Sequence, residues 1–195
     1  MTRIEYAAIF VGIIVGLGLA NILASVHKLM EAKRRVRWDW LAPAMAVNAT
    51  LFTLGTFWNM WVQYQTTPPS ARYFIAWLTV AAALFLLYLA CAATLPDEVP
   101  EHGVDLRVYY FENRTRIWGL FCATFVLYLA TWAVGLAQTG FIGVLRLNAA
   151  VILMNVIGLA LSIVSLRVRT VWWQAIAVIT LAALFLAVYG PMLQT

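Results

Sequence analysis

Charge is what this sequence has least of. Only 11% of its 195 residues are Asp, Glu, Lys or Arg, where a soluble domain carries about 25%, and 64% are hydrophobic. No soluble core of this size absorbs that much apolar surface, so the chain does not read as a soluble globular domain. Cysteine is equally scarce. Cys91 and Cys122 sit in apolar segments without CxxC or CxxH company, which excludes a disulfide framework or a zinc site and leaves them as small buried hydrophobes.

Reactive constellations are missing as well. The sequence has no HExxH, P-loop, GxSxG or CxxC motif and no membrane-embedded pair of acids, so it is read as a non-enzyme. His27 and His102 both fall at or beyond the ends of the apolar runs, so no bis-histidine haem site forms inside one bundle, and no cofactor or metal is expected. Ion-coupled transport usually keeps an ionisable residue at membrane depth. None lies near the centre of any run here.

What the chain does have is long charge-free apolar runs. A helix needs roughly 20 such residues to cross the hydrocarbon core, and six windows qualify, at 4–26, 41–62, 74–95, 117–137, 147–166 and 171–189. Apart from Glu5 at the edge of the first, none contains Asp, Glu, Lys or Arg. Arg3 followed by an apolar run resembles a signal peptide, but no small-x-small site precedes a soluble mature domain, so the run reads as the first span. The fold class is therefore all-α: one transmembrane domain over 1–195, an integral membrane bundle of six helices.

Alternate loops differ in how many Lys and Arg they carry, ten against three. One set holds Lys28, Lys33, Arg34, Arg35, Arg37, Arg107, Arg114, Arg116, Arg167 and Arg169; the other, with both termini, holds Arg3, Arg72 and Arg146. Positive residues are retained in the cytoplasm, so both termini are expected outside, in the periplasm or exterior. Trp38, Trp40, Trp118, Trp172 and Trp173 would mark the inner headgroup belt, and Tyr6, Trp58, Trp61, Tyr64 and Tyr73 the outer. The mixture of apolar and charged residues at 104–116 fits a short interfacial helix before span four. Basic loops beside apolar runs make phospholipid headgroups, rather than nucleic acid, the expected counterions.

Three features stand out. Ala8, Gly12, Gly16, Ala20 and Ala24 recur every fourth residue in the first span, a small-xxx-small ladder of the kind that lets helices pack closely, within one subunit, in an oligomer or beside a pore. On that ladder, a leucine at Gly16 is expected to disrupt packing more than one at Gly18. Asn21, Asn48 and Asn155 place amides at membrane depth, where each needs a partner: another helix, or a polar pore or pocket. Lys33, Arg34, Arg35 and Arg37 form a basic first loop, opposite in sign to the acid-rich second loop with Asp97, Glu98, Glu101, Asp105 and Glu112. These ends either are solvated, dock on each other, or hold anionic lipid or a partner. The repeat of Ala82-Ala83-Leu84-Phe85-Leu86 as Ala182-Ala183-Leu184-Phe185-Leu186 leaves a three-plus-three inverted repeat open.

Glu5-Tyr6, Gly16-Leu17-Gly18-Leu19-Ala20, Val36-Arg37-Trp38-Asp39-Trp40, Phe57-Trp58-Asn59-Met60-Trp61 and Asp105-Leu106-Arg107-Val108-Tyr109-Tyr110-Phe111-Glu112-Asn113-Arg114 resemble segments of a group of uncharacterised bacterial multi-pass inner-membrane proteins of about this length. The resemblance implies a bacterial inner (plasma) membrane location and carries over no catalytic or binding residue. Two functions remain. One is a passive channel or facilitator for a small solute or ion, oligomeric, with the amides along a neutral route. The other is a non-catalytic accessory or scaffold subunit of a larger membrane complex.

Overall fold

The structure is a computed structural model that describes residues 3–66, 71–139 and 141–190, with side chains described for 9–60, 77–133 and 149–190. Six helices dominate it: α1 (Arg3–Glu31), α2 (Leu41–Thr66), α3 (Ala71–Thr94), α4 (Leu106–Thr139), α5 (Phe141–Arg167) and α6 (Val171–Tyr189). All six contain a stretch long and apolar enough to cross a membrane. At 1.5 Å per residue the shortest, α6 with 19 residues, spans about 28 Å, close to the ~30 Å hydrocarbon thickness. Composition and helix length together make this a multi-pass membrane protein.

Five of the helices close on themselves. α2 packs on α3, α3 on α4, α4 on α5, α5 on α6 and α6 on α2, with a further α2–α4 contact across the ring. α1 lies outside this ring, against α2 and α3. The main core runs along the ring axis through Met45, Phe52, Leu87, Trp118, Phe121, Phe125, Val178 and Phe185. A smaller cluster of Val11, Ile14, Val15, Met60 and Leu84 seats α1.

Close approach between helices depends on glycines that form no repeat. A Cβ built at Gly158 of α5 would stand 2.5 Å from the Phe125 ring of α4, and one at Gly55 of α2 would stand 2.6 Å from the Phe185 ring of α6. Each missing side chain is thus the seat of an aromatic ring. The ladder of the first span behaves otherwise: a Cβ at Gly12 or Gly16 meets nothing within 4 Å. Ala20 and Ala24 are exposed, and the side chain of Ala8 lies outside the described residues. Among the described residues the ladder, from Gly12 to Ala24, turns away from the other helices, because Val11, Ile14, Val15, Ile22, Ser25 and Leu29 occupy the opposite, buried side of α1. Gly18, off the ladder, is the glycine that faces α3, with its Cβ position 3.7 Å from Cys91 Sγ and 3.8 Å from the Tyr88 backbone.

The loops 32–40, 95–105 and 168–170 gather at one end of the bundle, here the basic face. There the first two loops dock. A 3-10 turn, η1 (Lys33–Arg35), leads into β1 (Val36–Arg37), which pairs in parallel with β2 (Val104–Asp105), Val36 opposite Val104 and Arg37 opposite Asp105. Arg37 lies 3.4 Å from the Asp105 carboxylate. Lys28 donates to the Asp97 carbonyl at 2.8 Å, and Ser25 reaches its carboxylate at 3.4 Å. Gly103 permits the pairing: its φ is +87°, and a Cβ there would collide with the Arg35 carbonyl at 2.5 Å. The opposite net signs of the two loops are therefore used, in part, against each other.

The separate interfacial helix expected at 104–116 is instead the opening three turns of α4. Asp105 caps that start, its Oδ1 accepting from the backbone N–H of Arg107 at 2.9 Å and Val108 at 3.3 Å. No Pro or Gly interrupts Leu106 to Ile117. Tyr110, Arg114 and Trp118, four residues apart, all bury on one side, which ties this stretch into the bundle. The helix is 34 residues long, about 51 Å, so it extends well beyond the hydrocarbon.

Candidate functional site

Along the ring axis the polar residues form two separate layers with aromatic rings between them. The layer at the basic face is built on Gln174, which is fully buried near the start of α6. Its Oε1 accepts from Tyr110 Oη at 2.8 Å and from Trp118 Nε1 at 2.8 Å. Its Nε2 donates to the carbonyls of Ser165 at 3.1 Å and Val168 at 2.7 Å. Arg114, 3% exposed, donates to Val168 O at 2.8 Å and Leu166 O at 3.2 Å. A helix leaves its last carbonyls without intrahelical partners and a partial negative charge at that end. Gln174 and Arg114 meet both needs of α5. Trp118, expected in the interfacial belt, is fully buried in this layer, whereas Trp172 at 83% exposure is free to occupy the headgroup region.

Next comes an aromatic layer. Phe52 of α2 stands 5.9 Å from Phe121, 5.4 Å from Phe125 and 5.2 Å from Phe185, ring centre to ring centre. The first two contacts are edge-to-face, the arrangement the ring quadrupoles favour. All four rings are at least 93% buried, so they close the axis to a polar path.

On the far side of this layer from the basic face is a cavity of about 70 Å³, lined by residues of all five ring helices. Its polar lining comprises Thr56 and Asn59 of α2, Tyr128 and Thr131 of α4, Asn155 of α5 and Tyr189 of α6. Most of these polar groups are spoken for. Thr56 donates to its own Phe52 carbonyl at 2.6 Å, so the Thr56–Tyr128 bond must have the tyrosine hydroxyl as donor. Asn59 donates to the Tyr189 hydroxyl, bridging α2 to α6. Thr131 donates back to Leu127 O at 2.9 Å.

Asn155 differs. It is 1% exposed, and its Nδ2 donates to Val151 O of its own helix at 2.9 Å. That bond fixes which end of the amide is which, because a carbonyl accepts only from the NH2 group. The other end, Oδ1, is buried with no partner. An unsatisfied buried acceptor costs about 1–3 kcal/mol, and Asn155 is among the residues that line the cavity. No described lining residue is charged, so the site suits a neutral molecule; an ion would meet a large desolvation cost. One water needs about 10–15 Å³ of such space. The cavity has room for several waters or one small solute.

The three amides do not converge. Asn48 is fully buried and bridges helices, its Nδ2 donating to Val178 O of α6 at 3.0 Å while its Oδ1 has no partner. Asn48 does not line the cavity. Asn21 lies on α1, outside the ring, with a buried and unpartnered Nδ2. Lys33, Arg34, Arg35 and Arg37 are exposed on the basic face, and of these Arg37 is turned to Asp105. Sequence reasoning missed Thr56, Asn59, Tyr128 and Tyr189 in the cavity and Gln174 at the basic face. A signal was present in α2, where Asn48, Phe52, Thr56 and Asn59 recur at spacings of four, four and three and so share one helix face.

No protein-family model, curated protein or solved structure matches the chain.

Proposed function

We propose that this multi-pass membrane protein is a passive facilitator for a small uncharged polar solute, which rests in the axial cavity against Asn155 Oδ1. The basic face is cytoplasmic, both termini are outside, and the location is a bacterial inner membrane, as the charge bias and the sequence resemblance imply. The observation that carries the reading is a neutral cavity with room for several waters, lined by Asn155, whose buried Oδ1 has no protein partner. The rings of Phe52, Phe121, Phe125 and Phe185 close the cytoplasmic side, so passage requires them to rotate aside. Osmotic swelling of proteoliposomes in urea and in glycerol tests this. The protein should raise permeability above that of protein-free vesicles, and Asn155→Leu should lower it again with the fold intact. Permeability equal to that of bare vesicles for both solutes would overturn the proposal.

A second reading, an accessory subunit of a membrane complex, is favoured by the outward ladder of Gly12, Gly16, Ala20 and Ala24, which leaves a smooth face for another transmembrane helix. Crosslinking from a cysteine at Gly16 in native membranes distinguishes it. A foreign subunit supports the second reading, and no crosslinked product counts against it.

A further inference from the structure

The basic face carries a groove, separate from the axial cavity, of about 510 Å³ between the first turns of α4 and the α5–α6 loop. It is lined by Arg107, Val108, Phe111, Glu112, Arg114, Thr115 and Arg169. Three guanidinium groups against one carboxylate leave a net positive charge. Arg114 is fixed, because two of its N–H groups are bound to the Val168 and Leu166 carbonyls. Arg107 and Arg169 are exposed, and neither has a carboxylate partner among the described ion pairs. The groove also has apolar surface: Val108 is 52% exposed and Phe111 lies beside it. Trp172, three residues after Arg169, projects at the start of α6.

We propose that this groove binds the headgroup phosphate of an anionic phospholipid, gripped by Arg107 and Arg169 over the fixed base of Arg114. Guanidinium groups bind phosphate oxygens in bidentate geometry, and the free pair is held on two different elements, so an anion between them relieves their mutual repulsion. α4 enters its apolar run at Ile117, so a headgroup beside Arg107 and Val108 leaves its glycerol against Phe111, one turn nearer that run. The first loop, where Lys33, Arg34 and Arg35 look like the richer attraction, is instead committed in part to the second loop through the β1–β2 pairing and the Arg37–Asp105 contact. Its exposed Trp38 and Trp40 lie beside residues already docked to the second loop.

Native mass spectrometry of the full chain released from nanodiscs of phosphatidylcholine with added phosphatidylglycerol gives the affinity for the anionic lipid. The double variant Arg107→Gln with Arg169→Gln, both exposed and outside the core, should bind it about thirtyfold more weakly, as befits two arginines near the membrane surface. The triple variant Lys33→Gln, Arg34→Gln, Arg35→Gln should bind as wild type does. Excess inorganic phosphate should leave the lipid bound. Unchanged affinity in the double variant, an equal loss in the triple variant, or displacement by inorganic phosphate would each overturn the proposal.

Discussion

Gly158 of α5 lies directly under the ring of Phe125 of α4, so closely that a Cβ on the glycine would stand 2.5 Å from Cζ. Gly158→Ala should therefore cost about 1–3 kcal/mol, the usual penalty for overpacking. Gly16→Ala should be neutral or slightly stabilising in a monomer, because nothing lies within 4 Å of its Cβ position and alanine is the better helix former by roughly 0.5–1 kcal/mol. Unfolding in detergent compares the two. The same geometry reverses the order expected from the ladder: Gly18→Leu, facing Tyr88 and Cys91, should damage the monomer more than Gly16→Leu.

Asn48 and Asn155 should respond in opposite ways to leucine. Asn48→Leu removes an interhelical bond to Val178 O, and such bonds in membranes are worth about 0.5–2 kcal/mol. Both changes remove an unsatisfied acceptor, but Asn155→Leu removes only a bond within its own helix and places apolar atoms beside a cavity. Its stability should be unchanged or improved. Denaturation midpoints of the two variants measure the contrast.

Gln174→Leu should be among the most damaging single changes. It leaves the buried Tyr110 hydroxyl without its Gln174 acceptor and the Ser165 carbonyl without its Gln174 donor. At about 1–3 kcal/mol per orphaned group, a loss of roughly 2 kcal/mol or more is expected. Gln174→Glu keeps the acceptor but loses the donor to two carbonyls. It should be destabilised as well, as read by thermal unfolding.

At the docked loops, Gly103→Ala should open the β1–β2 pairing, since alanine strains at φ +87° and strikes Arg35 O. Arg37→Gln should do little, because an exposed ion pair contributes about 0–1 kcal/mol. Hydrogen exchange at 36–37 and 104–105 reads both, with faster exchange expected for Gly103→Ala alone.

The six spans were legible because lipid imposes one strong rule: a helix must stay apolar for its whole crossing. The loop chemistry was legible for the same reason. Helix faces were not. Nothing in the spacing of Gly12 and Gly16 tells whether a small-residue stripe looks inward or outward, and the inward side of α1 was decided by Val11, Ile14 and Val15 filling space beside Leu84. Gly55 and Gly158 carried no repeat to mark them, and their importance appears only with Phe185 and Phe125 above them. The charges at 107–116 gave the impression of an independent surface helix, while the inward side of that stretch, Tyr110 and Arg114, belongs to the bundle. Asn155 was recognised as a polar residue that needs a partner. That Asn155 lines a cavity, whereas Asn48 bonds to a neighbouring helix, depended on the ring of α2 to α6.

The most direct test of the cavity as a functional site is a crystal structure grown from a lipidic mesophase, at a resolution that shows ordered water. Density is expected inside the cavity within hydrogen-bond reach of Asn155 Oδ1, bonded to at least one other lining group such as Thr131 or Tyr189, and none in the Phe52–Phe121–Phe125–Phe185 layer. An empty cavity, or an Asn155 amide turned to a protein donor, would contradict it.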